Sequence, residues 1–142
     1  MIPSDYVVSA LATLMWNESH EDLLLGMKVC GLVVRNRMLA GWENGQWLKL
    51  IEKHDFWRFD NKPPRVMTYG DPHNNQMFRR CLAAAENIYN GKEMDITADI
   101  FGAGSLWYCR LNDCSDEFKE KIVHDLGNHP MIATIGRNSC FR

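Results

Sequence analysis

The run Trp16-Asn17-Glu18-Ser19-His20 puts a carboxyl group on the last turn of a predicted amphipathic helix. Helical residues advance by about 100° each, so Glu18 falls within roughly 40° of Val7, Leu11 and Leu14 around the helix axis. It therefore shares the apolar stripe and not the wet face. Burying an isolated carboxylate is costly, and desolvation favours the neutral acid. A carboxylic acid held protonated near neutrality suits proton donation to a leaving oxygen, followed by proton removal from an incoming hydroxyl. Spacing alone leaves a plainer reading open, in which Glu18 pairs with Arg35 or Arg37 of the next helix or is exposed by fraying.

Other residue types offer weaker chemistry. His20, His54, His73, His124 and His129 invite a zinc amidase or peptidase reading. Zinc hydrolases bring three ligands to one open position, often two of them four apart on a helix. Here His124 and His129 are separated by the break at Gly127, and His20-Glu21-Asp22 lacks a second histidine. A Cys–His peptidase would use Cys30 or Cys109 as nucleophile, yet Cys30 lies inside an apolar helix with no histidine near it in sequence. The five cysteines are an odd count, so at least one thiol stays unpaired within the chain. Cys30 and Cys81 read as core thiols; Cys109 and Cys114 match no zinc spacing and read as buried or idle.

The elements that must position these groups follow from periodicity and punctuation. Ser4 caps a helix over Tyr6 to Asn17, a break near Ser19 to Asp22 follows, and Leu23 to Leu39 is apolar almost all round. That second helix should be the buried centre, with Gly26 and Gly31 marking close helix contacts and Gly41 stopping it. Trp47 to Lys53 predicts a short helix, and Lys53 to Asn74 a long loop carrying Phe56, Trp57 and Phe59. Asn75 to Tyr89 predicts a helix stopped by Asn90-Gly91. Ser105 to Cys109 predicts a short strand, Ser115 to about Asp125 a helix, and Met131 to Ile135 with Cys140-Phe141 two strands around a turn at Gly136. The expected class is α+β, mainly helical, as a single domain over residues 1–142.

Bulk properties narrow the partners. With 46% hydrophobic and 24% charged residues, disordered and membrane classes drop out. A net charge of -2 and a pI near 6.2 carry no footprint for nucleic acid, so any polymer binding must rest on a shaped cleft. The start, Met1-Ile2-Pro3-Ser4-Asp5, lacks the basic and apolar regions of a signal peptide. No run approaches the roughly 20 apolar residues that span a bilayer. These features predict synthesis and retention in a cytoplasm until something else releases the protein, without membrane insertion.

Glu18-Ser19-His20-Glu21-Asp22 resembles the E-A-R-G-E signature of the spore cortex-lytic (SleB-type) cell-wall hydrolases. Val29 to Arg37 is similar to that family's V-A-x-V-V-x-N-R helix, and Ala83 to Asn90-Gly91 with Asp95-Ile96-Thr97 to its A-x-x-A-x-x-G-x-x-D-P-T segment. Ser105-Leu106-Trp107-Tyr108 falls where the family has A-L-Y-Y, and Ile135-Gly136 begins its closing I-G-N-H-x-F-Y. The segments occur in order and span most of the chain. Ser19-His20-Glu21 departs from A-R-G, no proline follows Asp95, and Asn138 stands where the closing motif has histidine.

The resemblance implies a compact lysozyme-like domain, similar to lytic transglycosylases and resuscitation-promoting factors. It implies cleavage of the β-1,4 bond between N-acetylmuramic acid and N-acetylglucosamine in peptidoglycan glycan strands, with no cofactor. Glu18 is then the catalytic acid and base, and Asp22, the retained terminal acid of the signature, a second catalytic candidate. A hydrolytic muramidase would usually need that second carboxylate, with Asp95 and Asp99 as further candidates; a lytic transglycosylase needs one acid. Phe56, Trp57, Trp107 and Tyr108 are the expected sugar-stacking residues, though Trp107 or Tyr108 could equally turn into the core. Ser105 and Asn36 complete the substrate-binding set, with Asn36 also read as a buried support of the fold. A phage endolysin or a virion-associated lysin fits this picture, as does a wall-binding virion module that has lost the chemistry.

Overall fold

A computed structural model describes residues 4–53, 76–99, 102–109 and 131–142. Four helices and three strands lie within them: α1 (Ser4–Ser19), α2 (Leu23–Leu39), α3 (Trp47–Lys53), α4 (Gln76–Tyr89), β1 (Trp107–Cys109), β2 (Met131–Ile135) and β3 (Asn138–Phe141). Short 3-10 turns at His20–Asp22 and Trp42–Gly45 follow α1 and α2. The chain is α+β and mainly helical among the described residues. The expected loop from Lys53 to Asn74, with Phe56 and Trp57, and the expected helix from Ser115 lie outside them. No helix there is long and apolar enough to cross a membrane.

Helices α1, α2 and α4 pack on one another, because each offers an apolar face the others cover. Leu11, Leu14 and Met15 of α1, and Phe78, Cys81 and Ile88 of α4, are buried around α2. Helix α2 is buried nearly all round, as its sequence requires: Met27, Val29, Cys30, Leu32, Val33 and Val34 are all excluded from solvent. Gly31 permits this closeness. A Cβ there would lie 2.7 Å from both Ile88 Cδ1 on α4 and Met15 Sδ on α1. Gly26 works differently from the expectation: a Cβ there would collide with the Asp22 side chain of the preceding turn, not with another helix.

The sheet is antiparallel with order β1-β3-β2. Central β3 is buried along its whole length, which explains why Asn138 and Ser139 belong to the strand despite their polarity. Ile135 pairs with Asn138 across a two-residue turn, where Gly136 takes φ 58°, a left-handed conformation that glycine adopts freely. In β1, Trp107 faces Phe141 and Tyr108 faces Cys140. Adjacent strand residues point to opposite faces, so one of the two aromatic rings turns toward the helices and the other away.

Candidate functional site

Glu18 sits on the last regular turn of α1, neither fully buried nor fully exposed. Ser19 beside it is buried, and the chain then tightens into the 3-10 turn before α2. That tightening leaves Leu23 with φ 62° and ψ -162°, a region almost reserved for glycine. Backbone strain therefore occurs five residues after the carboxyl group.

Tyr108 is the sequence-predicted residue that the fold brings to Glu18. Its ring packs against the helical core, and its hydroxyl is hydrogen-bonded to Cys30 of α2 and to Ser19 of α1. Burial first, then the neighbouring Cys30 and Glu18, push the Tyr108 phenol well above its ordinary value. Burial first and Glu18 second likewise raise the Cys30 thiol. Both groups thus stand neutral beside the Glu18 carboxyl in a poorly solvated corner where α1, α2 and β1 meet. Of the two alternative partners from α2, Arg35 Nη1 donates to the Glu93 carbonyl at 3.1 Å, and Arg37 Nε to the Leu106 carbonyl at 2.7 Å.

Trp107 takes the other side of β1. Its ring meets Trp42 edge-on at a centroid distance of 5.4 Å, and the Arg37 guanidinium lies 4.8 Å from the Trp42 ring centroid. Both indoles are half-buried. Trp42 carried no chemical signal in the sequence, since a lone tryptophan after a helix stop has many uses.

Asn36 and Ser105 belong to a buried polar knot. Asn36 Nδ2 donates to Asp95 Oδ2 at 3.0 Å, to Thr97 Oγ1 at 3.3 Å and to the Ser105 carbonyl at 3.0 Å. Asp95 Oδ1 accepts from the Thr97 amide at 2.9 Å and its hydroxyl at 2.6 Å. Ser105 closes the knot by donating its hydroxyl to the Thr97 carbonyl at 2.8 Å. Gly104 lies so close that a Cβ would collide with Asn36 and Asp95. The knot clamps the segment before β1 onto α2 and so sets where Tyr108 falls.

Asp22 is drawn to the far hairpin. Its Oδ1 accepts from Arg137 Nη2 at 2.6 Å and Nε at 3.0 Å, with the Asp22 side chain almost covered and Arg137 exposed. Asp99 Oδ1 accepts the Ala103 amide at 2.9 Å. His20 stacks on Trp16 at 5.2 Å and donates from Nδ1 to the Trp16 carbonyl. No group of three potential metal ligands forms among the described residues.

No family model, curated protein or solved structure matches this chain.

Proposed function

We propose that this chain cleaves the β-1,4 bond between N-acetylmuramic acid and N-acetylglucosamine in peptidoglycan glycan strands, as a lytic transglycosylase with Glu18 as acid and base. One observation carries the reading: a carboxyl group at a helix end, partly open to solvent, backed by the neutral Tyr108 and Cys30. Glu18 would give its proton to the glycosidic oxygen as the C1–O bond breaks. The resulting carboxylate would then take the proton of the muramoyl 6-hydroxyl as that oxygen bonds to C1, leaving a 1,6-anhydro ring and regenerating the acid.

A hydrolytic muramidase is the second reading and calls for another carboxylate. Among the sequence candidates, Asp22 is held by Arg137, Asp95 is held within the knot, and Asp99 accepts a backbone amide. These commitments favour the single-acid mechanism. The lysozyme-like arrangement, the SleB-type kinship and release of the protein from a cytoplasm to the wall, as an endolysin or virion lysin, belong to the same proposal.

Mass spectrometry of muropeptides released from purified wall tests it. Anhydromuramic ends are expected; reducing muramic ends would favour the muramidase, and free stem peptides would refute both. Glu18→Gln, which keeps the shape of the side chain, is expected to lower lysis by about 10²–10⁴-fold, the usual worth of acid–base catalysis. A variant as lytic as the parent would point to a module without chemistry.

A further inference from the structure

Helix α1 ends one residue after Glu18. Ser19, its final residue, departs to φ -141° and ψ 15°. Helix ends fray unless something holds them, and misplacing a reacting group by about 1 Å can cost roughly 10²-fold in rate. The usual devices are missing at this end: the last turn of α1 carries no basic residue, and the Ser19 side chain makes no capping bond to the 3-10 turn that follows. The Ser19 hydroxyl goes elsewhere. It is hydrogen-bonded to the Tyr108 hydroxyl, which is also bonded to the Cys30 thiol. Ser19 is 2% exposed and Cys30 0%, so bulk water does not stand in for a lost partner. Tyr108 is itself held in place. Two residues before it, the Leu106 carbonyl accepts from Arg37 Nε at 2.7 Å and the Leu106 amide donates to the Phe141 carbonyl at 2.9 Å.

We propose that Ser19 and Tyr108 are positioning residues for the Glu18 acid: the Ser19–Tyr108–Cys30 chain of hydrogen bonds ties the end of α1 to β1 and α2, and so fixes the direction from which the carboxyl group gives and takes its proton. The proposal rests on the glycan-cleaving reading for its reaction and adds two residues to it. In this role Tyr108 acts through Ser19 and the turn that carries Glu18, and not as a sugar platform. The E-A-R-G-E signature that this segment resembles has alanine where Ser19 stands, and alanine has no hydroxyl to share. The tie is therefore built from this chain's own departure from that signature.

The test uses the full chain as Ser19→Ala, as Tyr108→Phe and with both substitutions, and has two readouts. The first is the side-chain carboxyl 13C resonance of Glu18 in glutamate-labelled protein, assigned by its disappearance in Glu18→Gln. Both single variants are expected to shift it. The second is kcat and KM on soluble glycan strands freed of stem peptides, with kcat taken per folded molecule. Each single variant is expected to lower kcat about tenfold and leave KM unchanged, a loss within the range that misplacement produces. The double variant is expected to lose about tenfold and not a hundredfold, because Tyr108→Phe already removes the bond to Ser19 and coupled residues do not add. An unmoved Glu18 resonance, parental kcat in either single variant, losses that multiply in the double, or a raised KM at parental kcat would overturn the proposal. Should Tyr108→Phe fail to fold, Ser19→Ala leaves the ring packing in place and decides by both readouts. Failure is separable from that of the glycosidase: full lysis by Glu18→Gln would remove the chemistry while the resonance still tests the tie, whereas an inactive Glu18→Gln beside a fully active Ser19→Ala removes the tie alone.

Discussion

Asn36 shows how one side chain can be legible in kind and not in consequence. A polar residue in an otherwise apolar helix must find partners, which predicts a buried hydrogen-bonding role. Its partners sit 59 to 69 residues away. Replacing Asn36 with Leu is expected to destabilise the fold by about 2–4 kcal/mol, because it strips bonds from Asp95, Thr97 and Ser105 at once. Urea denaturation checks this, and a change below half a kcal/mol would place Asn36 outside the structural frame. The same measurement separates support from sugar binding, since a pure substrate contact would raise KM and leave the midpoint alone. Tyr108 is the opposite case. Its aromatic surface suggested a sugar platform, whereas its hydroxyl is committed to Cys30 and Ser19 beside Glu18.

At the scale of elements, the link from α1 to α2 concentrates the unusual geometry. Leu23 adopts a backbone conformation that costs on the order of 1–3 kcal/mol for a residue with a Cβ, and its exposed side chain contributes little burial in return. Leu23→Gly is therefore expected to raise stability by about 1 kcal/mol, against the usual sign for a glycine substitution. A lower melting temperature would show that the conformation is not strained. Arg137→Ala removes an ion pair whose cation is solvent-exposed, so its cost is expected to stay under about 1 kcal/mol in thermal unfolding. The knot before β1 is less forgiving. Gly104→Ala drives a methyl into Asn36 and Asp95 and is expected to cost about 2–3 kcal/mol, with loss of lysis in proportion to the displacement of β1.

For the whole molecule, the buried thiols predict an alkaline limit. Burial pushes Cys140 up to about 11, partly offset by a hydrogen bond with Ser105, and Cys81 up to about 12, each from an ordinary 9.0. Cys30 moves in the same direction. The unfolded chain therefore releases these protons at lower pH than the folded one. Stability is complete below pH 9 and declines as pH rises toward 11 and 12. Urea midpoints measured from pH 8 to 11.5 are expected to fall across that window, and a Cys81→Ala variant to show a shallower fall. A flat profile would mean that the thiols are solvated. Alkylating reagents, which attack the thiolate, are expected to label Cys81 and Cys140 slowly at pH 8 until denaturant is added.

Local pattern alone determined much of this architecture. The boundaries of α2 and α3 and of strand β2 coincide with those read from periodicity, glycine stops and β-branched content. The apolar stripe expected on α1, Val7, Leu11 and Leu14, is buried. These features depend on residues a few positions apart, where helix and strand periods act directly. Glu18 was visible as an acid on an apolar face for the same reason. Its surroundings were not. Tyr108, Cys30 and Ser19 meet it only because the Asn36–Asp95–Thr97–Ser105 knot clamps β1 to α2, and Asp22 meets Arg137 from 115 positions away. Such contacts are chosen by packing among distant segments, where spacing carries no information. Tertiary structure alone therefore decided which carboxyl groups are already engaged, and which side of β1 faces the acid.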